Sequence, residues 1–307
     1  MLMQPPFGAK PLWYQCVLLA ILFLCCFAIT GAFTLIIPLL YHIPVDKLAE
    51  STGSNGFVPA MRLDQVIGAV GIMLLPALLF YRMTRPEPFK QLGLTGPNNA
   101  WFYLVAALIA LASIPMVQLF ADWNQHLRFG GHLSGLDKWI HDTEESNDDA
   151  INHLLLMPRT IDLIINLVVM ALVPAICEEA FFRGVLQRLF IQSTRSPLAG
   201  ILIGAAVFSA LHGQFLGFFS RAALGIVLGY LYYYSGSLWP GIVAHFVYNG
   251  FQVVYFFIQQ QHGGPLPTSI DNNASFPLSY GLLSTAFVIA GLFVMKRLPP
   301  TKRSSWL

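Results

Sequence analysis

One stretch of the chain decides its fold: residues 160–192 read TIDLIINLVVMALVPAICEEAFFRGVLQRLFIQ. The stretch is long and apolar enough to cross a bilayer as a helix, which takes about 20 residues. Three charged residues nevertheless stand near its middle, Glu178, Glu179 and Arg183. Ionisable side chains are costly at that depth and are usually retained for a function. The stretch therefore predicts a transmembrane helix that carries a chemical site.

The composition of the whole chain supports a membrane protein. Of 307 residues, 56% are hydrophobic and only 10% are charged, and the mean hydropathy is +0.63. A soluble surface built from this composition would be short of charge. The formal net charge of +2 is too small, and the basic residues too scattered, for a nucleic-acid partner. The partner that the composition favours is the lipid bilayer.

We predict an all-α, polytopic membrane protein whose helices enclose a polar cavity. About eight transmembrane helices are expected, at residues 12–41, 64–83, 100–120, 160–192, 197–213, 216–234, 238–259 and 276–296. The chain then divides into three parts. Residues 1–159 hold three helices and an acidic external loop, residues 160–260 form a four-helix core, and residues 261–307 hold the last helix and a basic cytoplasmic tail.

Lysine and arginine in the connections predict the orientation, because these residues concentrate on the cytoplasmic side. With both termini inside, the cytoplasmic side collects Lys10, Arg82, Arg85, Lys90, Arg188, Arg195, Lys296, Arg297, Lys302 and Arg303. The external side collects Lys47, Arg62, Arg128, Lys138 and Arg159. We therefore predict cytoplasmic termini, and the small size and short loops favour a bacterial inner membrane.

The loop at residues 121–158 is rich in acidic residues and in histidine. The histidines are His126, His132, His141 and His153. Their spacing fits no standard metal-ligand motif, and the acidic run at residues 142–149 is typical of a solvated face. Residues 133–140 are expected to form an interfacial helix over the site.

The charged residues of the fourth span are predicted to play different roles. Residues four apart lie on one helix face, so Glu179 pairs with Arg183 and Glu178 points elsewhere. A carboxylate in an apolar cavity suits a general base that acts on water near neutral pH, which makes Glu178 the candidate base. His212 and Glu178 lie at similar depths along their helices, at about 1.5 Å per residue, so they can share a water molecule.

Two more polar residues share a face of the seventh span. His245 and Asn249 are one turn apart and present two hydrogen-bond donors side by side, as an oxyanion site requires. His245, however, lies only about 8 Å along its helix at 1.5 Å per residue. It meets His212 only if the turn at residues 235–240 is sunk, and such a turn must be buried in protein or line a wet cavity.

Arg221 is the remaining charge within a predicted span. It either snorkels or pairs internally, or it holds a carbonyl or a C-terminal carboxylate of a substrate. Small residues at four-residue spacing, Gly200 with Gly204 and Gly225 with Gly229, predict helices that approach each other closely in lipid.

Three fragments carry a resemblance to a known family. They are Glu178-Glu179-Ala-Phe-Phe-Arg183-Gly184, Phe208-Ser-Ala-Leu-His212 and Gly236-Ser-Leu-Trp-Pro-Gly-Ile-Val-Ala-His245-Phe-Val-Tyr-Asn249. In this order they resemble the CPBP intramembrane protease family, which includes the type II CAAX prenyl endopeptidases and the bacterial Abi proteins. The resemblance covers about residues 160–255 and every motif position is filled.

The resemblance implies an activity and a role for each motif residue. Glu178 and His212 would activate the attacking water of a glutamate-type intramembrane endopeptidase, and His245 with Asn249 would form its oxyanion hole. Glu179 and Arg183 would support them. The substrate would be a membrane-associated or lipidated protein, and residues 160–260 would be the catalytic core.

Other interpretations compete with a metal-free protease. Glu178, His212 and His245 could supply three zinc ligands, but the chain lacks the His-Glu-x-x-His arrangement that places two histidines on one helix face, so we expect no cofactor. A non-catalytic membrane scaffold or chaperone would keep the same polar residues for recognition. A proton-coupled transporter is disfavoured, because the sequence shows no inverted repeats.

Overall fold

The computed structural model describes residues 10–43, 57–84, 92–94, 99–127, 134–263 and 277–298. The helices in these residues are α1 Leu12–Thr34, α2 Ile37–Leu40, α3 Phe57–Thr84, α4 Trp101–Gln125, α5 Ser134–Leu154, α6 Thr160–Thr194, α7 Pro197–Ala210, α8 Phe218–Ser235, α9 Leu238–Gln261 and α10 Leu278–Arg297. No strand occurs in these segments, which confirms the all-α prediction.

The number of membrane-spanning helices is smaller than predicted. In the described part of the chain, six helical stretches are long and apolar enough to span: α1 continuing into α2, α3, α4, α6, α9 and α10. Helices α7 and α8, with 14 and 18 residues, are not among them. At 1.5 Å per residue α7 is only about 21 Å long, short of a hydrocarbon core of about 30 Å. Eight spans are therefore not confirmed.

The outer helices show the surface that a bilayer requires. Leu24 on α1 and Ile289 on α10 are each 63% exposed, and many apolar neighbours on the same two helices are exposed as well. A soluble monomer rarely leaves an apolar surface of this extent uncovered. The protein is a multi-pass membrane protein, with α4, α6, α8 and α9 packed within.

Helix α6 carries the charged fragment and is not a regular α-helix. Its hydrogen bonds widen into π-helical turns at Leu167–Leu172 and again at Glu179–Gln187. Pro174 follows the first of these turns and cannot donate to the carbonyl four residues earlier, which interrupts the regular ladder. Wide turns of this kind frequently occur at functional sites. The second wide turn begins at Glu179.

Close helix packing occurs at three of the four predicted glycines. A Cβ atom at Gly225 would lie 3.1 Å from the Cα atom of Ala205, and one at Gly229 would lie 2.9 Å from a side-chain carbon of Ile201. Helices α7 and α8 therefore approach through these glycines. A Cβ at Gly204 would make only ordinary contacts.

The tightest of these contacts predicts a loss of stability for Gly200→Ala. A Cβ at Gly200 would lie 2.6 Å from the backbone nitrogen of Ile191, and that backbone cannot yield without moving the end of α6. We expect a destabilisation of about 1–3 kcal/mol, the usual range for overpacking. Thermal unfolding in detergent measures it, with Gly31→Ala as the control, since nothing lies within 4 Å of a Cβ there. Equal melting temperatures would contradict the prediction.

The turn between α8 and α9 is sunk into the protein, as the position of His245 requires. Gly236 adopts a left-handed conformation with φ of 69°, which glycine tolerates without strain. The turn packs under residues 92–94: the Leu238 N–H donates to the Gly93 carbonyl at 2.9 Å, and the indole N–H of Trp239 donates to the Leu94 carbonyl at 2.7 Å. The buried backbone is thus satisfied by protein.

The predicted acidic loop is largely helical, which corrects the sequence interpretation. Helix α4 continues to Gln125, and α5 occupies Ser134–Leu154. The interfacial helix expected at residues 133–140 is the first part of this longer helix, while Leu133 and His132 lie outside the described residues.

Not all of the lysines and arginines that predicted the orientation lie in connecting loops. Six of them lie outside the described residues, namely Lys47, Arg85, Lys90, Arg128, Lys302 and Arg303. Arg188 is buried in α6 and donates to the hydroxyl of Tyr81 at 2.6 Å. Arg62 forms an ion pair of 3.3 Å with Asp162, joining α3 to α6. Cytoplasmic termini therefore stay a prediction.

Candidate active site

One large polar cavity contains all four residues that the sequence singled out for chemistry. Its volume is about 980 Å³, and helices α4, α5, α6, α8 and α9 line it together with the connection between α7 and α8. Glu178, His212, His245 and Asn249 all contribute to the wall, as does Arg221. Residues far apart in the chain thus face one open cavity.

Glu178 stands between the two histidines. Its Oε2 atom lies 3.9 Å from Nε2 of His212 and 3.8 Å from Nε2 of His245, and it is buried without a hydrogen-bond partner. These separations are too long for direct hydrogen bonds. The His212 side chain is 31% exposed and that of Glu178 15%, so access is from the side of His212.

A backbone contact fixes the ring of His212. Its Nδ1 atom lies 2.7 Å from the carbonyl oxygen of Phe208, and the ring contacts the Phe208 ring edge-on with 4.8 Å between centroids. A carbonyl only accepts, so Nδ1 carries the proton. In the neutral ring Nε2 is then an acceptor that faces Glu178.

His245 is joined to a buried charge network. Its Nδ1 atom lies 3.2 Å from Oε1 of Glu179, and the same oxygen lies 2.8 Å from Nη1 of Arg183. Arg183 also donates to the carbonyl of Gly225 at 3.2 Å and lies over the Phe208 ring. The predicted pairing of Glu179 with Arg183 is confirmed. The contact of Glu179 with His245 is new, and no local pattern could reveal it, because the residues are 66 positions apart.

A glycine makes room for this network. A Cβ at Gly241, one turn before His245, would lie 2.8 Å from Oε2 of Glu179. Helix α9 therefore packs closely against the buried carboxylate at this glycine.

Asn249 lies on the cavity side of α9, one turn after His245. Its Nδ2 atom donates to the carbonyl of Met170 at 3.3 Å, a residue of the first wide turn of α6. One amide hydrogen orients the side chain, and the second stays available to a ligand. The sequence interpretation missed Met170.

Helix α5 also reaches the cavity, which the sequence interpretation missed. His141, Glu144 and Asp148 line the wall, so the acidic run is not only a solvated face. Glu144 Oε1 accepts the Leu216 N–H at 2.6 Å. Burial raises the pKa of Glu144, against the opposing effects of that N–H and of Arg221. The spacing of three and four residues was the available signal, since it places these side chains on one face.

The distances between Oε2 of Glu178 and the two Nε2 atoms also bear on zinc binding. Tetrahedral zinc holds its ligands at about 2.0–2.2 Å, which places donor atoms roughly 3.3–3.6 Å apart. Both distances from Glu178 Oε2 to the imidazole nitrogens are longer. Within the described segments, no group of three or more histidine, cysteine, aspartate or glutamate side chains has the arrangement of a metal site. The absence of a cofactor stays a prediction.

Fold and site together define a class: an all-helical, multi-pass membrane protein whose helices bring a carboxylate and two imidazoles to one polar cavity. Within this class, residues 160–251 match the family described as type II CAAX prenyl endopeptidase Rce1-like. The resemblance inferred from the three fragments is thereby confirmed over this segment, which contains every predicted site residue.

A relative in Bacillus subtilis (strain 168) is the uncharacterized protein YpbD. The two chains are 30% identical over 139 residues, which are 44% of this chain and 61% of the relative. The chain therefore spans less than two thirds of the curated relative that it matches. No solved structure matches the chain.

Proposed function

We propose that the protein is an intramembrane endopeptidase that hydrolyses a peptide bond of a membrane-associated or lipidated substrate. One observation carries the proposal: a buried carboxylate oxygen of Glu178 faces two imidazole nitrogens at 3.8 and 3.9 Å within a cavity. The match of residues 160–251 to an endopeptidase family supports it.

The roles of Glu178 and His212 follow from their acceptor atoms. A water between them donates one hydrogen to Glu178 and the other to Nε2 of His212. Glu178 takes the first proton as the water oxygen attacks the scissile carbonyl carbon, in general-base catalysis. When the carbon–nitrogen bond breaks, protonated Glu178 returns the proton to the leaving amine.

His245 and Asn249 are assigned to the oxyanion. His245 donates from Nε2 only as an imidazolium, because Nδ1 already faces the carboxylate of Glu179. The second amide hydrogen of Asn249 is the other donor. Donors aimed at a developing oxyanion stabilise the transition state in a water-poor site.

The location of the reaction is part of the proposal. We propose a bacterial inner membrane with both termini in the cytoplasm, on the basis of the lysine and arginine distribution. The zinc-dependent protease is a competing proposal for the same residues, and the scaffold or chaperone is the non-catalytic one.

A cleavage assay tests the proposal. The full chain in lipid nanodiscs is incubated with a pool of randomised apolar peptides, and mass spectrometry identifies the products. The protease predicts new termini that the Glu178→Gln protein does not produce. The scaffold predicts intact peptides with both proteins, and that result would reject the protease.

Metal removal is expected to leave the activity unchanged, because the donor atoms are spaced too widely for zinc. The protein is treated with 1,10-phenanthroline, dialysed and assayed, and a zinc-dependent peptidase is treated in parallel as the control. Loss of cleavage that added zinc restores would favour the competing metalloprotease.

A further inference from the structure

Asn249 is oriented by a backbone carbonyl of α6. Its Nδ2 atom donates to the carbonyl oxygen of Met170 at 3.3 Å, across the contact between α9 and α6. Because a carbonyl oxygen only accepts, this contact places the amide nitrogen of Asn249 against α6. The direction of the second amide hydrogen, which is assigned to the oxyanion, therefore depends on this bond.

The Met170 carbonyl lies where the backbone ladder of α6 is interrupted. In an α-helix each carbonyl accepts the N–H of the residue four positions later, which for Met170 is Pro174. Proline has no backbone N–H to donate. The ladder is also shifted just before this point, since the Val173 N–H donates five residues back to the Val168 carbonyl. The Met170 oxygen is thereby accessible to a donor from α9.

This interruption is part of the cavity wall. Met170, Pro174 and Glu178 follow one another at four-residue spacing, which places them on one face of the helix, and all three line the cavity. The proline thus lies one turn before the assigned base and one turn after the carbonyl that orients Asn249. A change of backbone donor at this position acts directly on the wall that holds the site.

A second proline within a membrane helix provides a comparison. Pro115 lies inside α4, and the Ser284 hydroxyl of α10 accepts the Met116 N–H at 2.9 Å and donates to the Ala112 carbonyl. Proline is tolerated in membrane helices because neighbouring helices satisfy the freed backbone groups. Neither Pro115 nor Ser284 lines the cavity. At Pro174, by contrast, the side chain that bonds to the freed backbone belongs to the site.

We propose that Pro174 is a positioning residue of the reaction. By withholding a backbone N–H from the Met170 carbonyl, it keeps that oxygen for Asn249 and so directs the second Asn249 amide hydrogen into the cavity. The inference rests on the proposed function, since the group that is aligned is the assigned oxyanion donor. Pro174 acts through Met170 and Asn249 and has no part of its own in the chemistry.

The experiment changes a single backbone group at position 174. In vitro translation supplies Pro174→Ala and a second protein with lactic acid at this position, which has the alanine side chain but an ester oxygen in place of the N–H. Both are assayed in nanodiscs with peptides that the wild type cleaves. We expect kcat of the alanine form to be about 10- to 100-fold below that of the ester form, part of the roughly 10²–10³-fold cost of losing an oxyanion donor. KM should be equal in the two forms, because the oxyanion exists only in the transition state.

Position 115 provides the matched control. Pro115→Ala and the form with lactic acid at position 115 should have equal kcat, because the added N–H lies away from the cavity. This pair also measures any general effect of an ester in a membrane helix. Thermal unfolding should show Pro174→Ala to be at least as stable as its ester form, since it gains a backbone donor inside a helix. Lower activity would then not reflect damage to the fold.

A second background tests the path through Asn249. In Asn249→Ala, the alanine and ester forms at position 174 should have equal residual rates, because no Asn249 amide remains to be displaced. Equal kcat for the two forms in the chain with Asn249 would overturn the assignment while leaving the protease intact. A difference that persisted in full in Asn249→Ala would overturn it as well, since the N–H would then act by another route.

A measurement without turnover keeps the assignment testable if the wild type cleaves no peptide, a result that would reject the protease. The protein is labelled with ¹⁵N-asparagine, and the side-chain signals of Asn249 are identified by their loss in Asn249→Ala. In the wild type and in the ester form, one Nδ2 hydrogen should exchange with heavy water more slowly than the other, because it is bonded to the Met170 carbonyl. Similar exchange of both hydrogens in the wild type, or unequal exchange that persists in Pro174→Ala, would overturn the assignment.

Discussion

Replacing Glu178 by Gln is expected to lower kcat/KM for peptide cleavage by about 10²–10⁴-fold, the usual contribution of a general base. Glutamine has nearly the same shape but no basic oxygen, so it cannot take the proton from the attacking water. The loss should appear in kcat, because the change leaves the wall of the cavity intact. Initial rates with the cleaved peptides of the pool, measured in nanodiscs, give both kinetic parameters.

Two controls separate this effect from general damage. Glu145→Gln removes a carboxylate from an exposed position of α5 and should keep wild-type rates. Thermal unfolding of the Glu178→Gln protein should show a melting temperature no lower than that of the wild type, because a buried, unsatisfied carboxylate oxygen has been removed. Cleavage by this variant at the wild-type rate would eliminate Glu178 as the base.

The Arg183→Met variant should be destabilised by about 3–5 kcal/mol, the cost of leaving one partner of a buried ion pair uncompensated. The side chains of Arg183 and Glu179 are 2% and 0% exposed and lie 2.8 Å apart. Without the guanidinium, the Glu179 carboxylate is compensated only by His245. Denaturant unfolding in mild detergent gives the difference, with Arg195→Met as the exposed control.

A double variant tests the cause of this loss. Removing both charges in Arg183→Met with Glu179→Gln should recover much of the stability, because no lone charge is then buried. Activity should not return, since His245 loses the carboxylate that faces its Nδ1 atom. If the double variant were destabilised by the sum of the two single effects, the two residues would not act as a pair.

Much of the fold and of the site was accessible from local patterns. Long apolar runs predicted helices at the correct places, because membrane helices satisfy their own backbone hydrogen bonds. Spacing of four residues predicted the pairing of Glu179 with Arg183. The position of His245 set a condition, a sunken turn before it, because the helix would otherwise begin too far from His212.

The rest depends on contacts between distant segments. Nothing near Glu179 in the sequence indicates that His245 is its second partner. The wide turns of α6 depend on packing and on Pro174. The apolar sequence of α7 predicted a membrane span, but its 14 residues are too few to cross a bilayer. The acidic residues of α5 look solvated by composition, although some of them line the cavity.

The cover formed by residues 92–94 implies that the segment at residues 160–251 cannot be excised. Gly93 and Leu94 accept hydrogen bonds from Ser237, Leu238 and Trp239, and Tyr81 in α3 donates to the carbonyl of Gly184. A fragment trimmed to residues 160–251 would lose these acceptors and expose the underside of the turn that sets His245. The N-terminal helices thus support the residues that line the cavity, and homologues shortened at this end would need other contacts in their place.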